Sequence, residues 1–163
     1  MRGRFFTFCS YIFNFVENLN RKNYNYMYPA ELVMPRKAEL TDNGFEELLT
    51  SSGVEETLKK EGTTLVVINS VCGCSAATAR PGVLMALAGS EKKPDRLTTS
   101  FAGFDVEAVQ QIRTHLLPYP PSSPSIALFK DGQLVHFIER HMIEGRSAQM
   151  IAANLNDAFE QYC

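Results

Sequence analysis

The run Leu65-Val66-Val67-Ile68-Asn69-Ser70-Val71-Cys72-Gly73-Cys74-Ser75 constrains the fold more than any other stretch of this chain. A short apolar run rich in β-branched residues, bounded by turn residues, reads as a buried strand. The alanine-rich segment after Ser75 reads as a helix. Two cysteines separated by one glycine therefore stand where a strand hands over to a helix. There the free N–H groups of the first turn and the positive end of the helix dipole favour a thiolate over a thiol. The turn is predicted to be a redox site.

Composition narrows the class. A chain of 163 residues, 45% hydrophobic and 21% charged, suits a single globular domain with an ordinary core. A formal net charge of −2 offers nothing to nucleic acid or to an acidic surface. Cys9, Cys72, Cys74 and Cys163 are too few and too unevenly spaced for a disulfide-stapled secreted scaffold. No apolar run reaches the ~20 residues of a membrane span. The expectation is a soluble domain that keeps its thiols reduced and meets neither nucleic acid nor membrane.

Residues 1–26 stand apart. A basic start, an aromatic-rich segment containing Cys9 and a polar asparagine-rich tract follow one another without periodicity. The outline is that of a secretory signal, but polar residues follow the apolar part with no small-x-small cleavage pattern. The preferred reading is an extension, disordered or misassigned, with Met27 as the working initiator and no role for Cys9. The domain then spans 27–163.

From Tyr28 the pattern is regular. Pro29 suits the first turn of a helix carrying Leu32 and Val33, which Pro35 should kink or end, with Lys37 to Leu40 beyond it. Thr41 or Asp42 is predicted to cap a second short helix with Phe45, Leu48 and Leu49 on one face. Ser52 with Glu55 forms a capping box for a third, carrying Val54 and Leu58 and stopped by Gly62. The strand runs from about Thr64 to Asn69. A mostly apolar helix follows the cysteines to Gly89, kinked by Pro81. Lys92-Lys93-Pro94-Asp95 is a solvated loop. Leu97 to Phe101 reads as a strand, Gly103 as a turn, and Asp105 as the cap of a helix with Val109, Ile112 and Leu116. Asp131-Gly132 between two β-like runs predicts a hairpin of 125–130 with 133–138. A last helix from Ser147 carries Ile151, Leu155, Phe159 and Tyr162.

The order from Thr64 is thus β-α-β-α-β-β-α, a mixed four-stranded sheet, with room for an added edge strand, flanked by helices and preceded by extra N-terminal helices. A proline before the third strand invites a cis Ser123–Pro124 bond. With Cys72 at the first helix's N-terminus, this α/β topology looks like the thioredoxin fold.

One residue between two cysteines permits only a tight disulfide, with a Cα separation near the limit for a relaxed bond. Gly73 makes the closure possible. A strained, exposed pair is easily reduced, as a working redox pair must be. Cys72, nearer the solvent edge, is the natural nucleophile, and Cys74 the resolving thiol. Backbone around Ser123, Pro124 and Ser125, with Gly73, is expected to hold the substrate chain as an added strand. Two other readings stay open. The cysteines are small buried residues, or they are two thiolates of a metal site completed by Cys163, His136, His141 or a second subunit. Cys163 itself is either a third redox thiol or an idle tail. His136 reads as a strand residue and Arg140-His141 as loop.

The residues Val67 to Cys74, Ala79-Arg80-Pro81, Phe101-Ala102-Gly103, Pro121 to Ser125, Val135 to Ile138, Arg140-His141, Ile143-Glu144-Gly145 and Ala158-Phe159 with Cys163 resemble the bacilliredoxin family, in order, from Tyr28 to the C-terminus. The resemblance implies a thioredoxin-like fold and a cytoplasmic thiol–disulfide oxidoreductase. The implied task is removal of bacillithiol, a small cysteinyl sugar thiol, from S-thiolated proteins, with weak disulfide-isomerase activity. Cys72 would take bacillithiol as a mixed disulfide and Cys74 would resolve it. Bacillithiol is then a co-substrate, no metal or other cofactor is called for, and the chain is a monomer or weak dimer. Thioredoxin's own motif differs, having two residues between its cysteines and a tryptophan before them, whereas this chain contains no tryptophan.

Overall fold

The computed structural model describes residues 27–163, so the readings made for residues 1–26, including Cys9, lie outside the described residues. The chain enters with Met27 N donating to the Gly103 carbonyl at 2.9 Å. Helix α1 (Ala30–Thr41) then runs unbroken through Pro35, with Pro29 at its N-cap. The expected break does not occur. Pro35 lacks only the bond to the Glu31 carbonyl, and both residues are exposed, so water can serve that oxygen.

The second predicted helix is absent. Gly44, at a φ of 88°, turns the chain, and the short strand β1 (Glu46–Glu47) follows. Phe45 and Leu48 are buried, but on opposite sides of the sheet, while Leu49 is exposed. Their spacing of three also suits a helical face. In an extended chain an odd spacing sends side chains to opposite faces instead. Helix α2 (Ser51–Leu58) is capped by Thr50, whose hydroxyl accepts from Gly53 N, and not by Ser52.

Strand β2 (Thr63–Asn69) is buried at every position. Its alternate residues divide the core, as a period of two requires. Leu65 and Val67 face one side and Val66 and Ile68 the other. After the cysteines, a π-helical turn (Ser75–Ala79) leads into α3 (Arg80–Gly89). Arg80 N donates to the Ser75 carbonyl, five residues back. The wider turn places Pro81 in the opening turn of α3, where its missing N–H costs least. The expected kink is thus resolved as a local change of helix type.

Strand β3 (Arg96–Phe101) lies parallel to β2, and helix α4 (Val106–His115) follows. Asp105 occupies its N-cap, yet its carboxylate does not cap. It turns inward, accepting from Phe101 N and Lys37 Nζ at 2.8 Å each. Strands β4 (Ser125–Lys130) and β5 (Gln133–Ile138) form the hairpin. Its turn residues Asp131 and Gly132 take positive φ values of 51° and 77°, a backbone that side chains disfavour and Asp-Gly tolerates. A one-turn helix α5 (Arg140–Ile143) stands where a loop was expected, and α6 (Ala148–Tyr162) closes the chain behind the Ser147 cap.

The sheet has five strands in the order β1-β3-β2-β4-β5. β1, β3 and β2 run parallel, and β4 and β5 add antiparallel. β1 is the added edge strand. Apolar residues of α3 and α6 cover one face, and those of α2 and α4 the other. Gly82 of α3 permits a close approach to α6, since a Cβ there would meet Ile151 Cβ at 2.8 Å. The helix that begins at the cysteines is therefore clamped along its length. Among the described residues, no helix is long and apolar enough to cross a membrane.

Candidate active site

Cys72 follows the C-terminal end of β2, and the chain is helical from Gly73 onward. Ser75 N donates to the Cys72 carbonyl at 3.1 Å and to Cys72 Sγ at 3.3 Å, and Ala76 N donates to the same carbonyl. The sulfur thus shares a first-turn N–H with its own residue's carbonyl, on the positive end of the dipole. Cys72 and Cys74 are joined as a disulfide with a Cα separation of 5.4 Å. That separation lies within the ordinary range for a disulfide, so the expectation of a pair at the geometric limit is not met.

The two sulfurs differ in surroundings. Cys72 lines a cavity of about 290 Å³, together with Ser70, Gln110, Arg113, Ser123 and Arg140. Met27 and Tyr28 form part of its wall. Cys74 is packed against the core face that holds Leu65 and Val67. Gly73 is exposed, and a Cβ there would meet nothing within 4 Å.

A buried polar network stands behind the turn. Asn69 Oδ1 accepts from Ser70 N and Ser75 Oγ at 2.8 Å each and from Arg80 Nη1 at 3.0 Å. Arg80 is 1% exposed and also reaches the Ser75 hydroxyl at 3.0 Å and Glu39 at 2.6 Å. Asn69 Nδ2 donates to the Arg36 carbonyl, tying α1 to the same point. These residues were not assigned a site role from the sequence. The available signal was an arginine in an otherwise apolar helical run, which must find partners if buried.

The expected substrate-binding run is brought to the site only in part. Ser123 lines the cavity, and its carbonyl accepts from Arg140 Nη1 at 3.2 Å. The Ser123–Pro124 peptide is cis, as read from the sequence, and Leu117–Pro118 is cis as well. Pro124 and Ser125 are buried. The Ser125 hydroxyl donates to the Ser122 carbonyl, and its backbone pairs with Ile68 inside the sheet. Ser125 therefore presents no side-chain surface to a substrate.

Cys163 is free and exposed. Its thiol neighbours Thr63, Asp95, Lys130 and Lys92, at the N-terminal end of β2, and burial pushes its pKa up. Cys72 follows the other end of that strand, and six strand steps separate Thr63 from Asn69, roughly 20 Å. Cys163 cannot reach Cys72 within one chain, whether as a third thiol or as a metal ligand. His136 Nε2 donates to Asn154 Oδ1 on α6 at 2.7 Å, and His141 lies on α5, lining a different cavity. Among the described residues, no three His, Cys, Asp or Glu side chains are gathered as a metal site would need.

Comparison with known proteins agrees with this geometry. A family model described as disulphide isomerase matches residues 28–163. A bacilliredoxin of Cytophaga hutchinsonii is 60% identical over 135 residues, covering 83% of this chain and 99% of that protein. A bacilliredoxin of Bacillus licheniformis is 50% identical over 137 residues, covering 83% and 95%. Among solved structures, oxidised thioredoxin from Plasmodium falciparum superposes with a TM-score of 0.50 at 13% identity, over 72% of this chain and 97% of that one. An oxidoreductase with a thioredoxin fold superposes at 0.51, also at 13% identity, covering 72% and 95%. At such identities these two speak for the fold alone.

Proposed function

The chain belongs to the bacilliredoxin family and is a thiol–disulfide oxidoreductase of thioredoxin fold, and from that premise we propose that it removes bacillithiol, or a similar small thiol, from S-thiolated proteins. The Cys72 thiolate attacks the small-thiol sulfur of the mixed disulfide. A Cys72–bacillithiol disulfide forms, and the client leaves as a thiolate. The Cys74 thiolate then attacks Cys72 Sγ, expels bacillithiol as its thiolate and closes the Cys72–Cys74 disulfide. The pair supplies two electrons, and two equivalents of an external thiol return them, leaving as a disulfide. The cycle uses only thiols, so no metal, flavin or nucleotide enters it.

The observation that carries this reading is the asymmetry at the pair. Cys72 Sγ accepts the Ser75 N–H and borders an open cavity, while Cys74 packs on the core. The attacking sulfur is the one that substrate can reach and that a donor stabilises when charged. Ser123, half-buried, edges the same cavity, and the exposed Gly73 offers its backbone to the client. Weak disulfide-isomerase activity follows from the same chemistry. The setting we propose is a reducing cytoplasm, with the protein acting as a monomer or weak dimer.

Mass spectrometry tests the assignment. A Cys74→Ser variant mixed with an S-bacillithiolated client should retain one bacillithiol on Cys72 and free the client thiol. A Cys72→Ser variant should do neither. Equal, full activity in both variants would overturn the assigned roles. Tight stoichiometric zinc or iron in anaerobically purified protein would favour a metal-binding module instead.

A further inference from the structure

The cavity beside Cys72 has a charge pattern that disulfide exchange alone does not require. Two of its lining residues are arginines, and none is a carboxylate. Arg140 is already engaged, with Nε on Glu144 at 2.6 Å and Nη1 on the Ser123 carbonyl. Arg113 is not. Among the described residues its guanidinium has no hydrogen-bond or ion-pair partner, and its Nε is buried without one. Burial lowers its pKa, and no neighbouring carboxylate acts against that shift. A guanidinium stays protonated regardless. Leaving a buried donor on a cation unpaired is costly, and such a group in a concave site is a candidate for ligand recognition.

We propose that Arg113 is the carboxylate-binding residue of a subsite for the small thiol, resting on the reading that Cys72 exchanges with such a thiol. The ligand class is a carboxylate-bearing low-molecular-weight thiol. Its carboxylate pairs with the Arg113 fork, the geometry in which arginine binds best. Gln110, exposed one turn away on the same helix, supplies a neutral donor at the rim. A cavity of about 290 Å³ fits a molecule of that size rather than a folded surface. Ser70 and Ser123 also line the cavity and bring no negative charge to it.

The test uses a ligand that cannot exchange. S-methylglutathione carries carboxylates and a blocked sulfur, so its binding to the oxidised protein, read by isothermal titration, is independent of redox activity. The wild type should bind it. Arg113→Gln should weaken binding at least tenfold, as expected for a lost charge-assisted pair, and Arg113→Lys should keep part of the affinity. The diethyl ester of the same probe should bind the wild type about tenfold more weakly, a comparison that stands even if the variants fail to fold. No binding by the wild type, equal binding by Arg113→Gln, or equal binding of the ester would each overturn the subsite. The redox reading is judged separately, by the Cys72 adduct. Probe binding without an adduct would sink that reading and spare the subsite, and an adduct without carboxylate dependence would do the reverse.

Discussion

Arg80 Nη1 lies 3.0 Å from Asn69 Oδ1, so a buried guanidinium in α3 grips the last residue of the central strand. The same nitrogen holds the Ser75 hydroxyl. Ser75 is the residue whose N–H points at Cys72 Sγ. Strand end, helix start and reactive sulfur are thereby fixed to one another through a single side chain that does not line the Cys72 cavity.

Replacing Arg80 should therefore cost stability. Arg80→Met keeps the volume but strips several hydrogen bonds from buried acceptors. Glu39 is half-exposed and can turn to water, which lowers the penalty. The expected loss is about 2–4 kcal/mol, read from urea denaturation of the wild type and the variant. A loss below about 0.5 kcal/mol, the level of an ordinary surface change, would contradict the network's role.

Cys163 should be dispensable. It sits at the far end of β2 from the redox pair, and its thiol pKa is raised rather than lowered. Cys163→Ser is expected to release bacillithiol from a client at the wild-type rate, measured by stopped assays on a fluorescent S-thiolated peptide. A marked slowing in dilute protein would show a passage between thiols that this geometry denies.

Asp95 gives the protein an acid-sensitive joint. Its carboxylate accepts from Thr63 N at 2.6 Å and Thr63 Oγ1 at 2.8 Å, and the backbone donor, chiefly, holds its pKa below the usual value. A carboxyl whose pKa is depressed on folding stabilises the protein above its unfolded pKa. That contribution is lost as pH falls through the folded pKa. Asp95→Asn should accordingly be less stable than the wild type at neutral pH, with the gap narrowing as pH is lowered below about 4. Denaturation midpoints across that range check the sign, and a constant or widening gap would contradict it.

Sequence patterns carried the architecture where a local rule had one outcome. The Asp131-Gly132 hairpin, the buried β2 run and the stripe of Ile151, Leu155 and Phe159 each behave as their periodicity demands. The pattern misled where two periods share a spacing, as at Phe45 and Leu48. Pro35 and Pro81 showed a limit of another kind, because neighbouring exposure or a π-helical turn absorbs a missing N–H. At the site, Cys72 and Ser123 were legible because local chemistry marks them. Arg80, Asn69 and Arg113 were not, since their meaning lies in partners, or a lack of them, that only the fold establishes.

Cys72 can attack as proposed only if it is ionised at the mouth of its helix. The most direct measurement is the pH dependence of iodoacetamide alkylation of reduced Cys74→Ser protein, followed at Cys72 by mass spectrometry. The Ser75 N–H and the helix terminus predict a thiol pKa clearly below the ordinary value of about 8.5. A titration at or above that value would contradict the account.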